Sequence, residues 1–150
     1  MAMTASNMLP LGHKAASFSL PDTGGNTVSL TDFEGSKGLV VAFICNHCPY
    51  VIHIAPQLAK IAQQYQKKGI AFVAINSNDI EQYPDDDMAH MLQEKRARQY
   101  PFAYLLDEKQ EVAKAYSAAC TPDLYLFNGE QNLVYRGQFD GSRPTRISSG

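Results

Sequence analysis

Two uninterrupted apolar runs mark the middle of the chain. Residues 39–44 (LVVAFI) and 70–75 (IAFVAI) are rich in β-branched side chains and have the length of strands covered on both faces. The segment between them predicts a helix over residues 49–67, because apolar residues recur there at helical spacing, namely Ile54, Leu58, Ile61 and Tyr65. Pro49 suits the first helical position, and Pro56 should kink the helix. Strand, helix and strand together predict a right-handed βαβ unit.

Shorter patterns flank this unit. Alternating apolar and polar residues predict a hairpin of residues 18–20 and 28–30 around a glycine-rich turn. The acidic residues 85–87 are interpreted as the solvated start of a helix. The remaining predicted elements are that helix over residues 86–98, a strand at 104–106, a helix over 108–117, and a hairpin of 124–127 and 133–136 with Asn128-Gly129 at its turn.

These elements fit a single α/β domain that takes in all 150 residues. Residues 1–16 show no periodic pattern and are expected to form a loose lead-in. Residues 141–150 carry Gly, Ser and Pro, so we expect a poorly ordered or truncated tail.

Composition narrows the function classes. The chain is 45% hydrophobic and 19% charged with a net charge of −2, which is typical of a globular protein and offers no basic surface for nucleic acid or an anionic membrane. Residues 1–14 lack the apolar and basic regions of a secretory signal, and no apolar run is long enough to span a bilayer. We therefore expect a cytoplasmic protein. Three cysteines in such a protein are more often catalytic, redox-sensing or metal-binding than structural disulfides.

The strongest chemical pattern is Cys45-Asn46-His47-Cys48-Pro49, which joins the end of a buried strand to the start of a helix. A helix N-terminus stabilises a thiolate, and the thiolate is the form that attacks disulfides and peroxides. His47 can assist as a cation or a proton carrier. The alternative is that the cysteines are ordinary small core residues, which suits Cys45 at the strand end better than Cys48.

A second cluster, Cys120-Thr121-Pro122-Asp123, precedes an apolar strand. Proline is tolerated at the first position of a strand, and in a tight turn its peptide bond can be cis. From the sequence alone, an ordinary loop proline is the favoured interpretation. Asp123 and Arg136 are assigned no chemistry at this point.

With these motifs in view, the chain resembles the thioredoxin superfamily, and within it the peroxiredoxin-like branch of the alkyl hydroperoxide reductase/thiol-specific antioxidant (AhpC/TSA) group. The resemblance covers about residues 10–140 and rests on five segments: residues 20–22 (LPD), 28–33 (VSLTDF), 43–51 (FICNHCPYV), 69–73 (GIAFV) and 120–123 (CTPD). It implies a thioredoxin-like fold, in which a central mixed sheet is flanked by helices and extended by the N-terminal hairpin. It also implies that Pro122 is the cis-proline facing the thiol and that Thr121 offers its backbone to substrate.

The position of the helix proline decides which cysteine corresponds to the thioredoxin nucleophile. In thioredoxins this proline lies eight residues after the nucleophilic cysteine, and counting back from Pro56 gives Cys48. The second thioredoxin cysteine, which is also the peroxidatic position of peroxiredoxins, falls on Val51, and the peroxiredoxin motif around it is absent. The partner thiol is therefore either Cys45 or Cys120. The substrate-binding candidates are His47, Pro49, Thr121 and Pro122.

The resemblance implies thiol–disulfide oxidoreduction. Cys48 attacks a disulfide or a peroxide, Cys45 or Cys120 resolves the intermediate, and a thioredoxin- or glutathione-type reductant supplies electrons without a bound cofactor. Two alternatives stay open. One is a peroxidase with this unusual cysteine register, and the other is a non-catalytic binding or metal-carrier protein using Cys45, Cys48 and either His47 or His53.

Overall fold

The computed structural model describes residues 11–46, 48–118 and 122–137. Predictions for residues 1–10, for His47, Cys120 and Thr121, and for the tail lie outside the described residues. Within that part the strands are β1 (Ser19–Pro21), β2 (Thr27–Ser29), β3 (Gly38–Phe43), β4 (Ile70–Asn76), β5 (Ala103–Leu106), β6 (Asp123–Asn128) and β7 (Leu133–Gly137). The α-helices are α1 (Pro49–Gln66), α2 (Met88–Arg98) and α3 (Glu111–Ala115). Single 3₁₀ turns lie at Leu30–Phe33 and Pro84–Asp86.

The strand predicted to be central lies in the middle of a five-stranded sheet of order β5–β4–β3–β6–β7. β3 runs parallel to β4, with Val41 opposite Val73, and antiparallel to β6, with Val41 opposite Tyr125. β5 is parallel to β4, and β7 is antiparallel to β6. The predicted α/β class and mixed sheet are confirmed.

Each face of the sheet is covered by a separate core, because side chains alternate along a strand. Ala42 and Ile44 pack on the α1 side with Ile54, Leu58 and Tyr104. Val41 and Phe43 pack on the other side, where the buried rings include Tyr116, Tyr125 and Phe127. β3 is apolar on both faces for this reason, as its uninterrupted apolar sequence predicts.

Helix α1 begins where the sequence predicts and ends one residue before the predicted end. Pro49 occupies its first turn, and Pro56 lies inside it on the exposed side. The opposite side is buried along Val51, Ile54, Ala55, Leu58, Ala59 and Ala62. Gly69 has φ +91°, a backbone conformation that favours glycine, and this lets the chain turn from α1 into β4.

The N-terminal hairpin forms as predicted, with Leu20 opposite Val28. The described part of the lead-in packs against the strand β7 region: Gly12 N–H donates to the Leu133 carbonyl at 2.7 Å, and Ala15 N–H donates to the Gln131 carbonyl at 2.8 Å. None of the helices within residues 11–46, 48–118 and 122–137 combines the length and the apolar character needed to cross a membrane.

Two short elements differ from the sequence expectation. α3 covers only five residues rather than the predicted 108–117, since Gln110 has φ +63° before it and Ser117 has φ +56° after it. The β6–β7 connection is longer than a two-residue Asn-Gly turn. There the Asn128 side chain accepts hydrogen bonds from the N–H groups of Glu130 and Asn132, both at 3.0 Å.

Candidate thiol site

Cys48 is the N-cap residue of α1. Its backbone is extended (φ −68°, ψ 124°), Pro49 follows at the start of the helix, and the Cys48 carbonyl accepts a hydrogen bond from Ile52 N–H at 3.0 Å. The residue is half-buried at the edge of the core on the α1 side, and the first turn of α1 contains no acidic residue. The sulfur is therefore attached to the electropositive end of a helix, in contact with both core and surface.

Cys45 lies in a different environment, three residues earlier. It follows Ile44, whose N–H still donates to the Ile75 carbonyl at 3.0 Å, so the chain keeps the path of the sheet beyond the last residue of β3. Cys45 is only 3% exposed. The same turn thus carries one buried and one half-buried cysteine.

Asn46, between the cysteines, is fixed by three hydrogen bonds. Its N–H donates to Asp86 Oδ1 at 2.8 Å, its side-chain N–H donates to the Asp85 carbonyl at 2.9 Å, and its Oδ1 accepts from the Tyr104 hydroxyl at 2.9 Å. These partners come from the turn before α2 and from β5. The thiol turn is consequently anchored to two other elements of the fold.

Asp86 is fully buried, so the interpretation of residues 85–87 as a solvated helix start is wrong for this residue, whereas the side chains of Asp85 and Asp87 are 81% and 41% exposed. Its Oδ2 accepts from Asn78 Nδ2 at 2.8 Å, and its carbonyl accepts from Asn76 Nδ2 at 2.7 Å. The cap of α2 is the next residue, Asp87, whose Oδ1 accepts from His90 N–H at 3.0 Å. Asp86 therefore accepts hydrogen bonds inside the protein, whereas Asp87 caps α2.

Pro122 is half-buried and directly precedes β6. The next residue, Asp123, is the register partner of Phe43 at the end of β3, so Pro122 lies at the same edge of the sheet as the chain entering the thiol turn. Cys120 and Thr121 lie outside the described residues, so their predicted roles and the cis form of the proline stay predictions.

Directly after Pro122, Asp123 forms a buried ion pair with Arg136. Arg136 Nη2 donates to Asp123 Oδ2 at 3.0 Å and to the Ser117 carbonyl at 3.1 Å. The side chains of Arg136 and Asp123 are 5% and 9% exposed. On the same side, the Tyr125 hydroxyl donates to the Tyr116 carbonyl at 2.7 Å. Residues on both sides of the segment 118–122 are thereby held together.

Asn46, Asp86 and Tyr104 were not predicted from the sequence as parts of this site. Asp86 and Tyr104 lie 40 and 58 residues from Asn46 along the chain, and no local motif connects them. The available signal was a polar residue between the two cysteines, since a buried polar side chain needs partners.

The structure bears on one of the two versions of the metal-carrier alternative. Among the described residues, no three His, Cys, Asp or Glu side chains come together as a metal site, which removes the version based on His53. The version based on His47 falls outside the described residues and stays a prediction. His53 lies on the exposed side of α1.

Comparison with known proteins gives one family match and several relatives. Residues 11–136 match the model of the AhpC/TSA family. A Halalkalibacterium halodurans protein named thiol-disulfide oxidoreductase ResA is 24% identical over 127 residues, which are 75% of this chain and 72% of that protein. A Mycobacterium tuberculosis protein named putative peroxiredoxin is 27% identical over 123 residues, 82% of this chain and 73% of that protein. The crystal structure of an uncharacterized conserved protein from Geobacillus kaustophilus is 52% identical with a TM-score of 0.91, covering 93% of this chain and 75% of that one.

Proposed function

Because this chain belongs to the AhpC/TSA family, within the thioredoxin superfamily, we propose that it is a thiol–disulfide oxidoreductase whose nucleophile is Cys48. The observation that carries the proposal is that Cys48 caps the 18-residue helix α1 and is half-buried. A thiolate there gains from the helix dipole and from N–H groups of the first turn that lack intrahelical partners. The name of the ResA relative supports the same reaction class.

The reaction follows ordinary thiol–disulfide exchange. The Cys48 thiolate attacks one sulfur of a substrate disulfide, a mixed disulfide forms, and the other substrate sulfur leaves as a thiolate that takes a proton. A second thiol then attacks the Cys48 sulfur and releases the reduced substrate. Two electrons have then moved from the protein to the substrate, and a thioredoxin- or glutathione-type reductant returns them.

The second thiol is either Cys45 or Cys120. Cys45 shares the turn with Cys48 but is 3% exposed, so its use requires the turn to rearrange. Cys120 lies in the sequence between Ser117 and Asp123. Arg136 donates hydrogen bonds to both of these residues, and Asp123 lies at the edge of the sheet where β3 ends. The substrate-binding roles of His47, Pro49, Thr121 and Pro122 are part of the same proposal. Of these four, Pro49 is exposed and Pro122 is half-buried.

A peroxidase is the second candidate. Position 51, three residues after Cys48, holds valine and lies in the core, so no thiol is available in the first helical turn to resolve Cys48. Such a site suits a cysteine that attacks a hydroperoxide oxygen, releases water or an alcohol, and becomes a sulfenic acid that an external thiol reduces. The peroxiredoxin name of the Mycobacterium tuberculosis relative favours this candidate.

Parallel assays separate the candidates. Purified protein is supplied with dithiothreitol or a thioredoxin system and tested for insulin disulfide reduction and for hydrogen peroxide consumption. Cys48→Ser is the central variant, because serine is a good N-cap and should preserve the helix start. The oxidoreductase is supported if Cys48→Ser abolishes insulin reduction, one of Cys45→Ser and Cys120→Ser lowers it, and the other of these two variants retains it. Peroxide turnover without insulin reduction supports the peroxidase.

The binding and metal-carrier alternative predicts other results. Neither assay would depend on Cys48, and metal analysis of the purified protein would find a bound zinc or copper ion. The proposed place of action is the cytoplasm. Fractionation of cells expressing the untagged protein tests this, and recovery outside the cytoplasm would refute it.

A further inference from the structure

Three large apolar side chains are exposed around Cys48. Tyr50 and Ile52 follow it in α1 and are 40% and 41% exposed, and Tyr83, at the turn before α2, is 42% exposed. We propose that these side chains and the acidic residues beside them form a docking surface for a positively charged protein segment that carries a disulfide. The proposal rests on the proposed function, in which Cys48 reduces that disulfide. The docking surface consists of the side chains of Tyr50, Ile52, Glu81, Tyr83 and Asp85.

Hydrogen bonds place both parts of the docking surface beside the thiol turn. Ile52 N–H donates to the Cys48 carbonyl at 3.0 Å, so Ile52 lies one helical turn further along α1. Asn46, between the two cysteines, donates from its side chain to the Asp85 carbonyl at 2.9 Å, and Tyr83 begins the same turn. A protein that presents a disulfide to Cys48 therefore contacts α1 and this turn together.

The exposed apolar side chains favour a protein as the partner. Single exposed apolar residues are ordinary on a protein surface, whereas a group of them is typical of an interaction site. Of the seven large hydrophobic side chains that are exposed within the described residues, three belong to the docking surface. Two of these three are tyrosines, and tyrosine is one of the residue types that contribute most to the binding energy of protein interfaces.

The charge of the surrounding segments selects the kind of protein. Residues 45–59 contain no Asp, Glu, Lys or Arg, and residues 76–93 contain five acidic residues and no Lys or Arg. Asp85 points its charge outward, since its side chain is 81% exposed, and Glu81 is exposed as well. Complementary charge then favours a partner with Lys or Arg near its disulfide. A second copy of this chain is disfavoured, because a two-fold interface would bring the same carboxylates against each other.

The test uses two dye-labelled peptides with the same internal disulfide and the same apolar residues. One peptide has lysines at the positions where the other has glutamates. Binding to the full chain carrying Cys48→Ser is measured by fluorescence anisotropy, and reduction by the wild-type protein is measured by mass spectrometry. We expect the lysine peptide to bind and to be reduced about tenfold better at low ionic strength. This advantage should fall to about twofold or less in about 1 M salt.

A charge variant and a matched control test the acidic side chains. The double variant Glu81→Gln/Asp85→Asn keeps the Asp85 carbonyl, and it should remove most of the advantage of the lysine peptide. The control Glu34→Gln/Glu130→Gln removes the same charge from two exposed residues at the opposite end of the sheet, where β3 begins. It should change the binding of either peptide by less than about twofold.

A second pair of variants tests the apolar part. Tyr50→Ser should weaken the binding of both peptides by roughly fivefold, because both share the apolar residues. Tyr65→Ser is the matched control, since Tyr65 lies near the other end of α1 and is 43% exposed. It should bind both peptides as the wild-type surface does.

The results separate the docking surface from the proposed function. Equal binding of the two peptides, an unchanged advantage in the charge variant, or equal effects of Tyr50→Ser and Tyr65→Ser would overturn the docking surface. Reduction of both peptides at equal rates would also overturn it while keeping Cys48 as a nucleophile. Reduction of dithiodipyridine, a small neutral disulfide, tests the proposed function alone. Charge-selective binding without reduction of either peptide or of dithiodipyridine supports the docking surface and refutes the proposed function.

Discussion

Replacing Arg136 with methionine should destabilise the protein strongly. The change leaves the Asp123 carboxylate, 9% exposed, without the guanidinium that donates to it at 3.0 Å. Breaking one side of a buried ion pair costs about 3–5 kcal/mol. The Ser117 carbonyl also loses its donor, and Tyr125 loses a cation–π contact of 5.2 Å.

The lower end of that range is the better expectation. Nε and Nη1 of Arg136 are buried and have no hydrogen-bond partner among the described residues, so these residues compensate the wild-type pair incompletely. Methionine removes those two donors together with the favourable contacts. We expect a loss of about 3 kcal/mol, which for a domain of this size lowers Tm by roughly 6–12 °C.

The assay is urea and thermal unfolding followed by far-UV circular dichroism, because the chain has no Trp to report by fluorescence. Arg98→Met is the control: Arg98 pairs with Glu94 at 3.1 Å on a helix surface, with side chains 30% and 26% exposed. That pair should contribute less than about 1 kcal/mol.

A double variant with Asp123→Asn and Arg136→Met removes both charges, and it should recover much of the stability lost in Arg136→Met. The reasoning is refuted by an Arg136→Met variant that loses no more than Arg98→Met does. A double variant less stable than Arg136→Met alone would refute it as well, since the cost would not then come from an unpaired carboxylate.

Three further predictions concern the thiol turn and α2. Iodoacetamide should alkylate Cys48 with a midpoint pH below that of an unperturbed cysteine, about 8.5, and a midpoint at or above that value would contradict the helix-end argument. Val51→Cys places a thiol three residues after Cys48 in the first helical turn, so a disulfide between these positions should appear in peptide maps and insulin reduction should rise; its absence under oxidation would contradict the assigned register. The hydrogen bond with Asp87 raises the pKa of His90 above 6.5, and the bonds from His90 lower that of Asp87 below 3.8. The pair therefore contributes stability between about pH 4 and 6.5 and loses it on either side, and an NMR titration in which Asp87→Asn leaves the His90 pKa unchanged would refute this.

The central part of the fold could be predicted because the hydrophobic patterns of β3 and α1 arise from the local sequence. β3 and α1 were found within one or two residues, since an apolar run between two helix layers and an amphipathic helix starting at Pro49 each leave a direct mark on the sequence. α3 was overestimated because positive φ angles at Gln110 and Ser117 end it, and neither residue type signals that conformation.

The burial of Asp86 could not be predicted. Residues 85–87 are three consecutive aspartates, and the helix-start pattern applies equally to each of them. Only the fold brings Asn46 and Asn78 to Asp86 while Asp87 caps α2. A carboxylate can be buried where hydrogen-bond donors are positioned to satisfy it. The positions of those donors depend on contacts between residues that are distant in the sequence.

The different environments of Cys45 and Cys48 follow from where one element ends and the next begins. The sheet path continues through Ile44, which keeps Cys45 inside, and Pro49 favours a helix beginning at its own position. Three residues then have to span the distance between a buried strand end and a surface helix start. Asn46 takes the first of these places because its amide can satisfy donors and acceptors at the boundary, and Cys48 takes the last. The spacing of the two cysteines therefore follows the transition from the core to the helix end, and the different burial of the two side chains is a consequence of that transition.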